Sequence, residues 1–351
     1  MALDCTYALS KSTFLIENTL RIARHYVMLP KYEWELSKRG RVGNSILLEA
    51  SSMCQLNCPL CPTGQGLNRK NVIGWGYLKF QDFKKLVDAN PDIRNIELSN
   101  YGEIFLNPEL GDIIKYAFSR GINLSAGSGV NLNNVREDML ECLVQYRLSF
   151  MNVAIDGAAD ESYGVYRKGG DFEKVIANVK TINHFKRRYN SKFPELRWQF
   201  VIMGHNEREL PIARKMAREL DMVFVPKLNW DPSFSPVKDK EFVRRESGLG
   251  VASIDEYRQR YGEEYMACYK TLWKSPQINW DGRLLGCCVN MWSDFGNVFE
   301  DGLTECLKGE RYMRAKRMLL GETEARDDLP CIRCPVYARM SKSAVKRKYA
   351  F

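Results

Sequence analysis

Several absences bound this 351-residue chain. No apolar run is long enough to cross a bilayer, which excludes a membrane-spanning helix. No basic segment, apolar run and small-residue cleavage site open the sequence. From these two absences we expect a cytoplasmic protein. No basic patch is interleaved with stacking aromatics, so nucleic acid is not favoured as a partner. Cysteine is missing between Cys142 and Cys268, and again after Cys334. Thiol chemistry is thereby confined to an early group and a late one.

What is present supports a sizeable core, with 45% apolar residues. The net charge of +9 comes partly from the tail Arg339–Lys348, which reads as a solvated basic tail or as a bias toward anionic substrates. Eleven cysteines stand at positions 5, 54, 58, 61, 142, 268, 287, 288, 306, 331 and 334. In an intracellular chain such usage points to metal or redox chemistry, not to a disulfide framework.

Residues 1–44 read as a helical extension, with Phe14, Leu15, Leu20, Ile22 and Val27 at near-helical spacing. An alternation follows. Strands are expected at 45–51, 94–100, 122–128, 148–156, 196–203 and 222–228. Helices are expected at 80–90, 108–121, 136–146, 171–188 and 206–220. Gly121 suits the end of the second helix. Strands alternating with amphipathic helices imply a parallel sheet with right-handed crossovers. An open (β/α)6 barrel fits the count, and a doubly wound sheet is the rival. Either places chemistry at the C-terminal ends of the strands. The expected organisation is an extension (1–44), a barrel (45–250) and a small C-terminal α+β domain (251–351).

MCQLNCPLCPTG follows the first strand and holds Cys54, Cys58 and Cys61 with no fourth cysteine nearby. Zinc usually takes four ligands. A cubane [4Fe–4S] cluster has four irons to ligate, so three thiolates leave one iron open for a small molecule. The late group comprises Cys268, Cys287, Cys331 and Cys334. It surrounds a hairpin expected to turn at Asp281-Gly282, with a helix after it over 304–319. Four cysteines including a Cys-x-x-Cys pair suit a second cluster or zinc.

Cys54-x3-Cys58-x2-Cys61 after a first strand resembles the signature of the radical S-adenosylmethionine (SAM) enzymes. SNYGEIFLNPEL (99–110) resembles the family's Gly-Gly-Glu segment. Gly102 and Glu103 match it, and Tyr101 replaces the first glycine. Asp156, Gly157 and Arg167 match the pattern after the fourth strand, with Ala154 where Ser is common, and Leu60 replaces an aromatic. The resemblance implies a partial TIM-like (β/α)6 barrel. It also implies a SAM-binding [4Fe–4S] cluster on Cys54, Cys58 and Cys61, with SAM contacts at Gly102, Glu103, Asp156, Arg167 and Leu60.

The late cysteines resemble the twitch domain, a shortened relative of the SPASM domain. That resemblance implies one auxiliary [4Fe–4S] cluster on Cys268, Cys287, Cys331 and Cys334, because the longer form needs cysteines beyond Cys334. Cys288 then reads as a buried neighbour or as a hydrogen-atom donor. Cys142 and Cys306 read as core. Asn206 is expected to cap a helix, His205 to lie near the site, and Trp230, Asp231 and Phe234 to line its mouth. The resemblance implies reductive cleavage of SAM to a 5′-deoxyadenosyl radical, with flavodoxin or ferredoxin as electron donor. A small polar, sugar- or cyclitol-like substrate is favoured, oxidised with the auxiliary cluster as acceptor. Epimerisation or rearrangement, peptide maturation, and a non-catalytic electron carrier are the alternatives.

Overall fold

The computed structural model describes residues 43–266 and 268–342. The expected extension over 1–44, with Cys5, and most of the basic tail lie outside the described residues.

Six strands run β1 (Ser45–Leu48), β2 (Asn95–Glu97), β3 (Asn123–Val130), β4 (Phe150–Ala154), β5 (Glu195–Ile202) and β6 (Val223–Leu228). Each pairs in parallel with the next in sequence. The order is therefore 6-5-4-3-2-1, which is the sequential order of a barrel and not the reversal of a doubly wound sheet. The sheet is not closed. It continues past β1 into β7 (Gln277–Ile278) and β8 (Leu284–Gly286). β7 runs parallel to β1 and antiparallel to β8. The hairpin of the late cysteine region is thus an extension of the barrel sheet at its first strand. Its turn contains Asp281-Gly282, and Gly282 adopts φ +89°, as a Gly in such a turn allows.

The crossover helices are α1 (Phe80–Ala89), α2 (Leu110–Ser119), α3 (Glu137–Gln145), α4 (Asp160–Tyr166), α5 (Phe172–Arg188) and α6 (Leu210–Glu219). Gly121 follows α2 at φ +68°. Asp171 caps α5, its side chain accepting from the Lys174 amide. Along the strands one parity packs outward on these helices: Ile46 and Leu48, Ile96 and Leu98, Met151 and Val153, Trp198 and Phe200. Each such side chain contributes about 1.5–3 kcal/mol when fully removed from water. The other parity faces the barrel interior and is polar: Glu97, Ser125, Asn152, Gln199 and Lys227.

Short helices over Lys240–Glu246, Ile254–Tyr261, Thr271–Lys274 and Pro335–Lys342 add to the sequence expectation, and three further elements differ from it. α4 is an additional helix, too short and too poor in repeating apolar residues to show a period. The helix expected over 304–319 is two, Leu303–Lys308 and Glu310–Leu319, because Gly309 takes an extended conformation between them. The helix expected from residue 206 begins with a 3-10 turn, Glu207–Glu209, before α6.

Asn107 carries much of the closure near β1. It is buried, and its Nδ2 donates to the carbonyls of Ala50 and Leu78, each at 2.9 Å. Asn107→Ala strands those bonds in a dry region and should cost about 2 kcal/mol or more. Thermal unfolding of the reconstituted protein should shift several degrees lower. An unchanged midpoint would mean that the two bonds do not hold this segment.

Candidate functional site

The loop after β1 folds back on itself. The Cys61 amide donates to the Cys58 carbonyl (3.1 Å) and the Gln65 amide to the Cys61 carbonyl (2.9 Å). A Cβ on Gly64 would lie 2.7 Å from the Cys58 amide nitrogen, so only glycine fits that return. Cys54, Cys58, Cys61 and Leu60 all belong to one small packed group with Leu56, Tyr166, Val201, Met203 and Phe234. The structure therefore brings together the three early thiols at the C-terminal ends of β4 and β5.

Hydrogen-bond donors surround these sulfurs. Asn131 Nδ2 lies 3.7 Å from Cys54 Sγ and the Leu56 amide 3.5 Å from it. Arg167 Nη1 lies 3.8 Å from Cys58 Sγ. Burial pushes the Cys54 thiol up to about 12, with the neighbouring Glu103 adding to the shift. Burial also raises Cys58, and Arg167 opposes it. The free Cys54 and Cys58 thiols are protonated, whereas coordination to a cation strips the proton and holds the thiolate. Three thiols on a short loop, with amide and guanidinium N–H groups aimed at two of them, fit the ligand set of an anionic iron–sulfur cluster.

The expected SAM contacts lie around this loop. Glu103 is buried. Its carboxylate accepts from the amides of Asn131 (2.6 Å) and Phe105 (3.3 Å), and its own amide donates to the Met53 carbonyl at 2.7 Å. Burial raises it to about 7, opposed by those two N–H groups and by Arg167. Gly102 is fixed by contact: a Cβ there would sit 2.1 Å from the Ser51 carbonyl oxygen. Asp156 is fully buried and pairs with Arg167, Nε to Oδ2 at 2.5 Å, while its Oδ1 accepts from the Val201 amide. Arg167 thus links the end of β4 to Cys58.

The expected Asn206 cap is corrected. Asn206 makes no side-chain cap. It is buried, with Nδ2 donating to the carbonyls of Asp156 and Val201 and Oδ1 accepting from the Met203 amide, so it clamps the ends of β4 and β5 together. Asp231 turns into its own loop and accepts from Ser233. Trp230 and Phe234 reach the cluster-loop group by packing on Tyr166. His205 Nδ1 is 2.7 Å from Ser235 Oγ, and its ring lies on Phe234.

Cys268, Cys287, Cys331 and Cys334 line one small cavity of about 30 Å³, walled by Leu272, Leu285, Trp292, Phe295 and Tyr337. Cys288 does not line it. Its thiol stands beside those of Cys268 and Cys287; with burial this raises the Cys288 thiol, while the Cys287 thiol is drawn below its ordinary value. That favours Cys287 over Cys288 as the thiolate. Among the described residues, no three His, Cys, Asp or Glu side chains converge as a mononuclear metal site would need. Four thiols around an apolar cavity fit a fully ligated cluster. Cys142 and Cys306 are core residues. A larger cavity opens at the opposite rim of the barrel, beside Phe150, Glu195 and Met222, and holds no cysteine.

The sequence reading missed how the two cysteine groups are joined. Glu49, fully buried at the end of β1, accepts the amides of Tyr101 (3.0 Å) and Gly102 (3.1 Å). The Tyr101 carbonyl accepts from Thr63 Oγ1 in the cluster loop, and the Tyr101 hydroxyl donates to the Asn290 carbonyl at 3.1 Å. Asn100 Nδ2 donates to the Cys288 carbonyl at 3.0 Å. The unusual Tyr at this position was the available signal.

Comparison with known proteins agrees with this geometry. Residues 268–335 match the SPASM family, described as an iron-sulfur cluster-binding domain. A cysteine-type anaerobic sulfatase-maturating enzyme of Clostridium novyi is 23% identical over 206 residues, 55% of this chain and 52% of the relative. The chain thus spans about half the length of that curated relative. Streptococcus suis SuiB bound to S-adenosylmethionine superposes with a TM-score of 0.62 over 93% of this chain and 80% of that one, at 13% identity. The protein anSMEcpe with bound AdoMet superposes with a TM-score of 0.56 over 83% of each chain, at 16% identity. The partial barrel with a SPASM-type domain is upheld.

Gly102→Ala should push the 99–103 segment off the cluster loop. Iron after anaerobic reconstitution should fall by about four per chain, one cubane, with the late site still loaded. Wild-type iron content in the variant would show that the loop tolerates the displacement.

Proposed function

We propose that this radical SAM enzyme, with its SPASM-type iron–sulfur domain, oxidises a small polar substrate. The observation that carries the proposal is the pair of thiol sites. One offers three sulfurs and the other four, so the first leaves a coordination position for SAM and the second leaves none for substrate.

Cys54, Cys58 and Cys61 would hold the cluster whose electron cleaves SAM to the 5′-deoxyadenosyl radical that takes a hydrogen atom from substrate. Cys268, Cys287, Cys331 and Cys334 would hold a second cluster able to accept the electron left on the substrate, with flavodoxin or ferredoxin resetting the first. The residues around them bind and orient. Glu103 would take the SAM amino group: each oxygen accepts one backbone N–H and keeps a lone pair. Gly102 lets the chain pass close enough for that contact. The Asp156–Arg167 pair anchors Cys58 to the barrel rim. Leu60 and Tyr166 make an apolar wall beside the loop, which excludes water from a reactive radical.

A second reading has one observation in its favour. The curated relative is a sulfatase-maturating enzyme, and SuiB is also known bound to its precursor peptide SuiA, at a TM-score of 0.60. Peptide modification is therefore the competing substrate class. Incubation with perdeuterated polyols or perdeuterated peptides separates the two, by whichever delivers deuterium into 5′-deoxyadenosine.

Two outcomes are expected. Reconstituted wild type should carry about eight irons, falling to about four in Cys54→Ala/Cys58→Ala/Cys61→Ala. About four irons in the wild type, all lost in the variant, would remove the electron-acceptor role. SAM affinity should also rise with pH. Glu103 carries its charge above about 7, so binding weakens as pH falls through that value. Glu103→Gln should flatten the profile. A pH-independent wild type would remove Glu103 from SAM binding.

A further inference from the structure

Lys227 lies on β6 opposite Val201 in the parallel register, on the strand face that looks into the barrel. Val201 packs with Cys58, Leu56 and Tyr166, so Lys227 stands one strand away from the cluster loop. Its Nζ donates to Gln199 Oε1, also on the interior face. Among the described residues, no carboxylate oxygen comes within ion-pair distance, 4.0 Å, of that ammonium.

Burial pushes Lys227 below its ordinary range. Arg167 acts the same way, while Asp156 and Glu97 oppose. Neither carboxylate is free to turn toward it. Asp156 is held by Arg167 and the Val201 amide. Glu97 accepts from the Ser99 amide and hydroxyl, the Ser125 hydroxyl and the Gly127 amide. An ammonium has three N–H donors, and one is spent here. Lys227 is half-buried; a partly desolvated cation without an anion nearby carries a cost, and a ligand that brings the anion lowers it.

The same interior holds unspent acceptors. Asn152 Oδ1 on β4 and Gln277 Oε1 on β7 are buried with no hydrogen-bond partner among the described residues. Asn152 lies between Met151 and Val153, which pack outward, and Gln277 pairs in register with Leu47, between the outward Ile46 and Leu48.

We infer that Lys227 binds an anionic group of the substrate, a carboxylate or a phosphate, inside the barrel. The unpartnered Asn152 and Gln277 oxygens take hydroxyl or amine protons of the same molecule. The substrate class is then a small anionic polyol or amino acid. This rests on the radical SAM reading of the neighbouring loop.

The test is amine labelling of the reconstituted protein in saturating SAM, with acetylation at Lys227 read by peptide mass spectrometry. Inorganic phosphate or malonate should slow labelling at Lys227 by about fivefold, the factor 1 + [L]/Kd at a concentration four times Kd. Glycerol should not slow it. Lys215, exposed on α6, should label equally throughout. Equal labelling of Lys227 with and without anions overturns the inference. Complete protection by SAM alone also overturns it, because the ammonium then serves the SAM carboxylate. The same preparation is reduced and assayed for 5′-deoxyadenosine. Cleavage without protection removes only the role of Lys227, and no cleavage removes the reading beneath it.

Discussion

A single buried carboxylate holds the two halves of this site in register. Glu49 follows β1 directly, is fully buried, and accepts the amides of Tyr101 and Gly102. Burial lifts it to about 8, and the backbone N–H groups pull it back toward its ordinary range. The bond ties the strand that leads into the cluster loop to the segment that closes over that loop. It also aims the Tyr101 side chain outward, to the carbonyl of Asn290 beside the late cysteines. Loop, closing segment and auxiliary domain therefore share one anchor. Because β7 continues the sheet directly from β1, the auxiliary hairpin and the cluster loop grow from adjacent strands.

This arrangement explains why the thiols can be so buried. A protonated cysteine tolerates an apolar setting, but a thiolate needs positive charge or hydrogen-bond donors. Donors stand at Cys54 from Asn131 and Leu56, and at Cys58 from Arg167. In the late group the buried Cys288 thiol stands beside Cys268 and Cys287. In both places the protein supplies the neighbours that an anionic cluster requires, and leaves apolar walls elsewhere to keep water away.

Much of this was legible in the sequence. The strand and helix periods locate all six parallel strands to within a few residues, because one parity of each strand packs on helices. The Cys54-x3-Cys58-x2-Cys61 spacing and the Asp281-Gly282 turn are local chemistry, and local chemistry survives folding. What was not legible depends on distant partners. Asn206 has the composition of a cap, yet its amide finds two strand-end carbonyls and serves them instead. Gly309 interrupts a helix whose apolar period runs on through it. Lys227 is one lysine among many until the sheet shows that it faces inward. Tyr101 reads as a lost glycine until the hairpin brings Asn290 within reach.

The central claim is that two clusters occupy two sites, and that only the three-thiol site engages SAM. Electron paramagnetic resonance of the dithionite-reduced, reconstituted protein tests it directly. Two reduced cluster signals are expected, with SAM changing the one that disappears in Cys58→Ala and leaving the other unaltered. A single signal, or two signals that SAM leaves untouched, would contradict the account.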